Sequence, residues 1–179
     1  MGNPQETRFA RRKWGSSEAI RRASGQEDLV ELNANWVVGF VDAEGCFHVS
    51  INRHPAMSVG FQVLPEFVVV QHTRDRQVLQ ALKRFFGAGN VRRNHDDRDC
   101  LRIRKLDALL QVCDFFMKHP LKTKKNVDFR KFRKILLLMS QKRHLSQEGL
   151  IEIIDIAMEM NSAKRPVLTE VRRQLVQTG

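Results

Sequence analysis

The sequence predicts an α+β domain, one antiparallel sheet with helices packed on a single face. Three observations predict it. Residues 46–53 and 60–70 alternate apolar and polar side chains with a period of two, as half-buried strands do. A second alternating pair, 89–94 and 100–104, brackets an Asp-rich turn. Apolar stripes at helical spacing precede and follow each pair, so the order reads α-β-β-α-β-β-α-α-α, with a further helix expected over 167–176. The 179 residues suffice for one domain of ordinary size. A chain this long buries roughly 68–70% of its unfolded surface, so its core requires neither a metal nor a disulfide.

The first 34 residues read as a basic N-terminal extension, and the domain proper is expected over 35–179. Between Thr7 and Ser17 the extension carries Arg8, Arg11, Arg12 and Lys13 and no acid. Such a segment suits a mitochondrial transit peptide or an arm laid along nucleic-acid phosphates. Asn35 is the expected N-cap of a helix running from Trp36 to Glu44, with Gly45 as its terminator. In the strand that follows, Phe47, Val49 and Ile51 face one way, while Cys46, His48, Ser50 and Asn52 face the other. In the second strand Phe61, Val63, Phe67 and Val69 face the core, opposite Gln62, Leu64, Glu66 and Val68. Pro65 within it implies an edge or a bulge. Thr73 and Asp75 open a second helix ending at Gly87, with Val78, Leu79, Leu82 and Phe86 on its stripe. In the second hairpin Val91, Leu101 and Ile103 point inward. Helices are then expected over Leu106 to Lys118, from Thr123 onward, and over Gly149 to Met160 behind Ser146. The last of these is apolar enough for a core-packing role.

The composition narrows the function. Hydrophobic residues make up 42% and charged residues 28%, which excludes a wholly disordered chain. The longest aliphatic run, Ile135 to Met139, falls far short of the ~18 residues of a membrane span, so a soluble protein with no membrane partner is expected. Cys46, Cys100 and Cys113 are widely spaced and odd in number, which argues against zinc and secretion and for a reducing compartment. Lys and Arg number 31 against 20 Asp and Glu, a net charge of +11 that points to a polyanionic partner such as nucleic acid. From Lys118 to Arg143 the Lys and Arg residues meet one acid, Asp128, and their exposed members read as phosphate contacts. The outer sheet face would present His48, Ser50, Asn52, Gln62, Glu66, Asn90, Arg92, Asn94, Arg102 and Arg104. Mixed polar and basic side chains at strand spacing suit a sheet that reads base edges in a groove. Val68 and Leu64 on the same face could meet thymine methyl groups.

The segment Val37-Val38-Gly39-Phe40-Val41-Asp42-Ala43-Glu44-Gly45 carries the chemistry. Gly39 and Ala43 stand four apart on one helical face, so a second copy of the helix could approach closely there, with Val38 and Asp42 flanking the contact. Glu44 is out of place electrostatically, because a carboxylate at a helix C-terminus opposes the helix dipole. A divalent cation would compensate it, and so would a lysine.

These nine residues resemble the motif of the LAGLIDADG homing endonucleases: two apolar residues, Gly, two apolar, Asp, a small residue, an acid and Gly, followed by an alternating strand. The αββαββα order over about Asn35 to Leu138 is similar to that family's fold, a saddle-shaped antiparallel sheet, here with extra C-terminal helices. The resemblance implies a site-specific double-strand DNA endonuclease that uses Mg²⁺, with Ca²⁺ supporting binding without cleavage. The single motif copy implies a homodimer whose paired motif helices carry Val38, Gly39, Asp42 and Ala43 at the interface. It further implies that Glu44 and the Ala43 carbonyl are metal ligands, that Gln71 orients a water, and that Lys124, or its rival Lys122, stands by the scissile phosphate. Two departures accompany the match: the motif acid is Glu44 rather than the commoner Asp, and Asp75 stands where a relative carries a basic residue, for which Arg74 or Arg76 could substitute. The alternative readings are an RNA-binding maturase and a non-catalytic DNA-binding regulator. An intron-borne gene would place the product in a chloroplast or mitochondrion, and any other gene in the cytoplasm.

Overall fold

The computed structural model describes residues 30–161 and 165–177. The basic segment with Arg8, Arg11, Arg12 and Lys13 lies outside the described residues. The first helix, α1 (Ala34–Glu44), is capped by Asn33 and not by the expected Asn35. The Asn33 backbone is still extended (φ −104°, ψ 164°), and its Oδ1 accepts the Trp36 N–H at 2.9 Å. Asn35 already lies within the helix, where its side chain can no longer reach the free N–H groups of the first turn.

Helix α1 sends Val37, Val38 and Val41 into the core and passes directly into β1 (Gly45–Arg53). The change from helix to strand within one residue requires glycine. A Cβ on Gly45 would stand 2.6 Å from Val41 Cγ1 and 2.9 Å from the Val41 carbonyl oxygen. Strand β2 (Phe61–His72) pairs with β1 from Gly45↔Val69 to Arg53↔Phe61. A 3₁₀ turn (Thr73–Asp75) leads into α2 (Arg76–Phe86), which ends at Gly87 in the left-handed conformation (φ 64°). Strands β3 (Asn90–Arg93) and β4 (Arg98–Ile103) complete an antiparallel sheet of order β1-β2-β4-β3. Asn94 and Arg104 each fall one residue beyond their strands.

Pro65 lies inside β2, and its environment is locally an edge. Strand β4 begins to pair with β2 only at Phe67↔Ile103, so nothing waits on that side for an N–H from residue 65. On the other side, the Phe47 and Val49 carbonyls turn outward to accept from Asn161 Nδ2 and Arg165 Nη1, both at 3.0 Å. Those two bonds also cover the open edge of β1, a site where another strand would otherwise pair.

Four more helices follow: α3 (Leu106–Lys118), α4 (Lys125–Ser140), α5 (Gln147–Met158) and α6 (Pro166–Gln177). One core unites the inner sheet residues Phe47, Val49, Ile51, Phe61, Val63, Phe67, Val69, Leu101 and Ile103 with helix residues. The Phe47 ring sits 5.2–5.9 Å from those of Phe67, Phe116, Phe129 and Phe132. Such aromatic packing contributes about 0.5–1.5 kcal/mol per pair beyond area burial. Leu150, Ile153, Ile154 and Ala157 of α5 join this core, so the helix packs as its composition predicts.

Candidate cleavage site and nucleic-acid interface

The polar end of α1 is built by a loop that is distant in sequence. Asp42 Oδ2 accepts the Lys122 N–H at 2.6 Å, and its Oδ1 accepts the Thr123 hydroxyl at 2.8 Å and the Thr123 N–H at 3.3 Å. The Thr123 hydroxyl oxygen in turn accepts the Lys125 N–H at 3.2 Å. Asp42 is therefore a clamp that fixes the start of α4 against the end of α1. This clamp brings the Lys125 ammonium onto the last carbonyls of α1, donating to Val41 O at 2.9 Å and Ala43 O at 3.2 Å. The positive charge that Glu44 calls for at a helix C-terminus is thus a lysine of the same chain. Burial lowers the pKa of this ammonium, and Cys46, Asp42 and Glu44 oppose the shift.

The sequence reading named Lys124, or its rival Lys122, for the scissile phosphate and did not single out Lys125, which is the lysine on the end of α1. Lys122 and Lys124 are both exposed, and Lys122 meets the clamp through its backbone. Lys125 is half-buried in the first turn of α4, where the Asp42–Thr123 clamp turns it back toward α1.

Gln71 lies two residues past Val69, the partner of Gly45, so β2 carries it beyond the end of α1. Its ladder partner is Asp99, a residue with 0% exposure. Arg76 Nη1 donates to Asp99 Oδ2 at 2.7 Å, while Asp99 Oδ1 has no partner among the described residues. Arg76 is therefore committed to the β4 carboxylate. Arg74 remains largely exposed, with Asp75 3.5 Å away. Asp99 was legible in principle, since Leu101 and Ile103 point inward and the residue two before Leu101 must do the same.

The donor set at the end of α1 suits a hard cation. Glu44 offers an exposed carboxylate beside the exposed Ala43, whose carbonyl also accepts from the Lys125 ammonium, so an ion there would share that oxygen with the lysine. Among the described residues no three His, Cys, Asp or Glu side chains gather around one point. The Glu44 carboxylate and the Ala43 carbonyl are oxygen donors of the kind a divalent ion takes.

The exposed side of α1 presents Asn35, Trp36, Gly39 and Ala43. A Cβ added at Gly39 would meet nothing within 4 Å. Trp36 stacks on Phe40 with ring centroids 4.6 Å apart, leaving an apolar surface that is 39% exposed at the indole. Val38, expected on this interhelical face, points the other way. It is 7% exposed and belongs to the chain's own core, because it lies about 100° around the helix from Gly39. Asp42 is occupied by the loop clamp.

On the outer sheet face Ser50, Asn52, Gln62, Asn90, Arg92 and Asn94 are exposed or half-buried, whereas Val68 is nearly enclosed. Four of the expected readers, His48, Glu66, Arg102 and Arg104, contact charged side chains of the protein itself. His48 Nδ1 lies 3.3 Å from Arg165 Nη2, and burial first and the Arg165 charge second push its pKa below 6.5. Glu66 contacts both Arg102 and Arg104. The basic run of α4 also departs from expectation. Lys131 donates to the Glu159 carbonyl at 2.9 Å, and Lys134 and Arg143 pair with Glu152 at 3.3 and 3.4 Å, so these three serve the α4–α5 packing. Among the described residues, no helix is long and apolar enough to cross a membrane.

The motif helix leading into a strand, the two α-β-β units and the bare outer sheet face define one class of protein. The family model described as LAGLIDADG endonuclease matches residues 37–136, and the chain belongs to that family. The homing endonuclease I-TnaI superposes with a TM-score of 0.79 at 57% identity, covering 82% of this chain and 99% of that one. The LAGLIDADG homing endonuclease I-SmaMI, in a crystal structure bound to cleaved DNA, superposes with a TM-score of 0.78 at 33% identity over 86% of this chain and 52% of its own. Another I-SmaMI structure holds an uncleaved DNA target in the presence of calcium ions. A probable intron-encoded endonuclease of Neurospora crassa is 30% identical over 142 residues, 78% of this chain and 31% of that protein. The chain thus spans about a third or less of the curated relatives it matches most strongly.

Proposed function

We propose that this protein is a site-specific double-strand DNA endonuclease, acting as a homodimer with Mg²⁺ on a long pseudo-palindromic site. The observation that carries the reading is the end of α1, where Asp42, Glu44 and the Lys125 ammonium are assembled from segments 80 residues or more apart. Dimerisation is supported by the open space at Gly39 and by the coverage of I-SmaMI, about half of whose chain matches one copy of this one. Two copies meeting along Trp36, Gly39 and Ala43 would bring two Glu44 carboxylates together. The intron-encoded relatives support an organellar gene.

Glu44 and the Ala43 carbonyl would hold the ion, which when bound supplies charge neutralisation at the scissile phosphate and at the leaving oxygen. The chain's own residues do the rest. The Gln71 amide orients a water for in-line attack on phosphorus. The Lys125 ammonium, fixed on two carbonyls, faces the phosphate as a preorganised positive charge. As the water oxygen bonds to phosphorus, the bond to O3′ breaks. The water proton leaves to solvent, and O3′ takes one back. The outer faces of the two copies would lie in the major groove, with His48, Ser50, Asn52, Gln62, Asn90, Arg92 and Asn94 toward base edges and Lys122 toward phosphates.

The test incubates the purified protein with a randomised duplex library in Mg²⁺ and in Ca²⁺, captures cut ends, and runs Glu44→Gln in parallel. The expected result is cutting at one pseudo-palindromic site in Mg²⁺, reduced on the order of 10³-fold in the variant, with Ca²⁺-supported binding retained by both proteins. Selective binding without cuts in either metal would replace this reading with a regulator. Selectivity for RNA alone would replace it with a maturase.

A further inference from the structure

The outer face holds a carboxylate among its cations. Glu66 in β2 lies one residue before the pair Phe67↔Ile103, level with Arg104, and the pair Val68↔Arg102 places Arg102 on its diagonal. Its side chain is only 16% exposed. One oxygen, Oε2, faces both guanidinium groups: Arg104 Nε donates to it at 2.9 Å, while Arg102 Nε, buried and without a hydrogen-bond partner among the described residues, stands 3.5 Å away as a charge contact. Both arginines thus face Glu66 through Nε. Among the described residues no protein partner engages the Nη atoms of either. Both arginines line a groove of about 860 Å³ together with Asn90, Arg92 and Asn94 of the second hairpin and with Lys83, Asp107 and Gln111 of the neighbouring helices.

Arg104, hydrogen-bonded at Nε, has lost much of its rotational freedom before any ligand arrives, Arg102 is drawn to the same carboxylate by charge, and the Nη groups of each remain as a planar fork. That fork matches the O6 and N7 acceptors of guanine in the major groove. A phosphate, by contrast, must compete with Glu66 for the same positive charge. The carboxylate therefore weakens sequence-independent binding and spares the base contact.

We propose that Glu66 is a positioning residue that sets base specificity by orienting Arg102 and Arg104 to read guanine at two positions in each half-site. This rests on the DNA-binding reading above. The test selects duplexes from a library randomised in the half-site, in Ca²⁺, with the full-length protein, Glu66→Gln and Arg104→Lys. The wild-type protein is expected to enrich guanine at two positions. Arg104→Lys keeps the charge and loses that enrichment at one of them. Glu66→Gln lowers guanine discrimination about tenfold at both, tightens binding to random-sequence duplex and steepens its salt dependence. An unchanged base profile in Glu66→Gln, or in Arg104→Lys if the first variant does not fold, overturns the proposal and leaves the endonuclease reading intact. Absence of any selective DNA binding by the wild-type protein overturns that reading as well.

Discussion

The end of α1 and the outer face of the sheet are both polar, yet they are held in opposite ways. At the end of α1, side chains bond to backbone: Asp42 to the Lys122 and Thr123 amides, and Lys125 to the Val41 and Ala43 carbonyls. Backbone atoms occupy fixed places once the helices pack, so this region has one arrangement. On the outer face, side chains meet mainly other side chains, as Glu66 meets two arginines and His48 meets Arg165. Contacts such as those of Glu66 involve side chains alone and can be re-drawn by single substitutions, whereas Arg165 also bonds the Val49 carbonyl at the β1 edge. On the proposed function, the chemistry would then sit where backbone fixes it and the recognition where side chains can be retuned.

The comparison breaks most readily at Lys125. Lys125→Met is expected to lower the cleavage rate on the order of 10²-fold, and Lys124→Ala by only a few fold; single-turnover kinetics that reverse this order would return the role to Lys124. Burial sets the Lys125 pKa below 10.5, so cleavage is expected to hold through neutral pH and to decline on the alkaline side before 10.5 is reached. Stability has the opposite sign. The unfolded chain keeps the proton longer, so the cost of burying the ammonium is present at neutral pH and is relieved as pH rises from the lowered value toward 10.5.

Asp42→Ala sharpens the comparison at intermediate size. Its carboxylate accepts from Lys122 and Thr123, and losing those bonds is expected to cost about 1.5–3 kcal/mol by denaturant midpoint, together with a drop in cleavage. A midpoint at the wild-type value would mean that the loop is held by packing alone. The smallest effect is expected on the outer face. Arg165→Met should raise the His48 pKa toward 6.5, read from its ring protons, and, because it also removes the bond to the Val49 carbonyl, lower the denaturant midpoint slightly. In the wild-type protein the unfolded state takes up the His48 proton first. That part of stability is present above pH 6.5 and lost as pH falls from 6.5 to the lowered folded value.

The legibility of the sequence follows the same division. The elements were readable because period-two and helical patterns report which side of a strand or helix is buried. Leu106–Lys118 matches its expected bounds, and α5 packs as its composition implied. The cap was displaced by two residues, because Asn33 and Asn35 are chemically equivalent and only the entry path of the chain selects between them. Val38 was assigned to the wrong side because its neighbours Gly39 and Ala43, and not its own chemistry, suggested the interface. Lys125 was missed because nearness to α1 depends on a loop clamp formed across 80 residues of sequence. The pairing of Glu66 with Arg102 and Arg104 required the strand register, which composition does not contain.

The clamp between Asp42 and the loop before α4 also governs when a newly made molecule becomes competent. Eighty residues separate Asp42 from Lys122. At about 5–20 residues per second, a ribosome needs roughly 4–16 s to cover that interval. Throughout it the motif helix can already exist, while the lysine that completes its end has not been synthesised. The Asn161 and Arg165 contacts to β1 come later still. A chain interrupted during translation would therefore carry the motif helix without the lysine that completes its end.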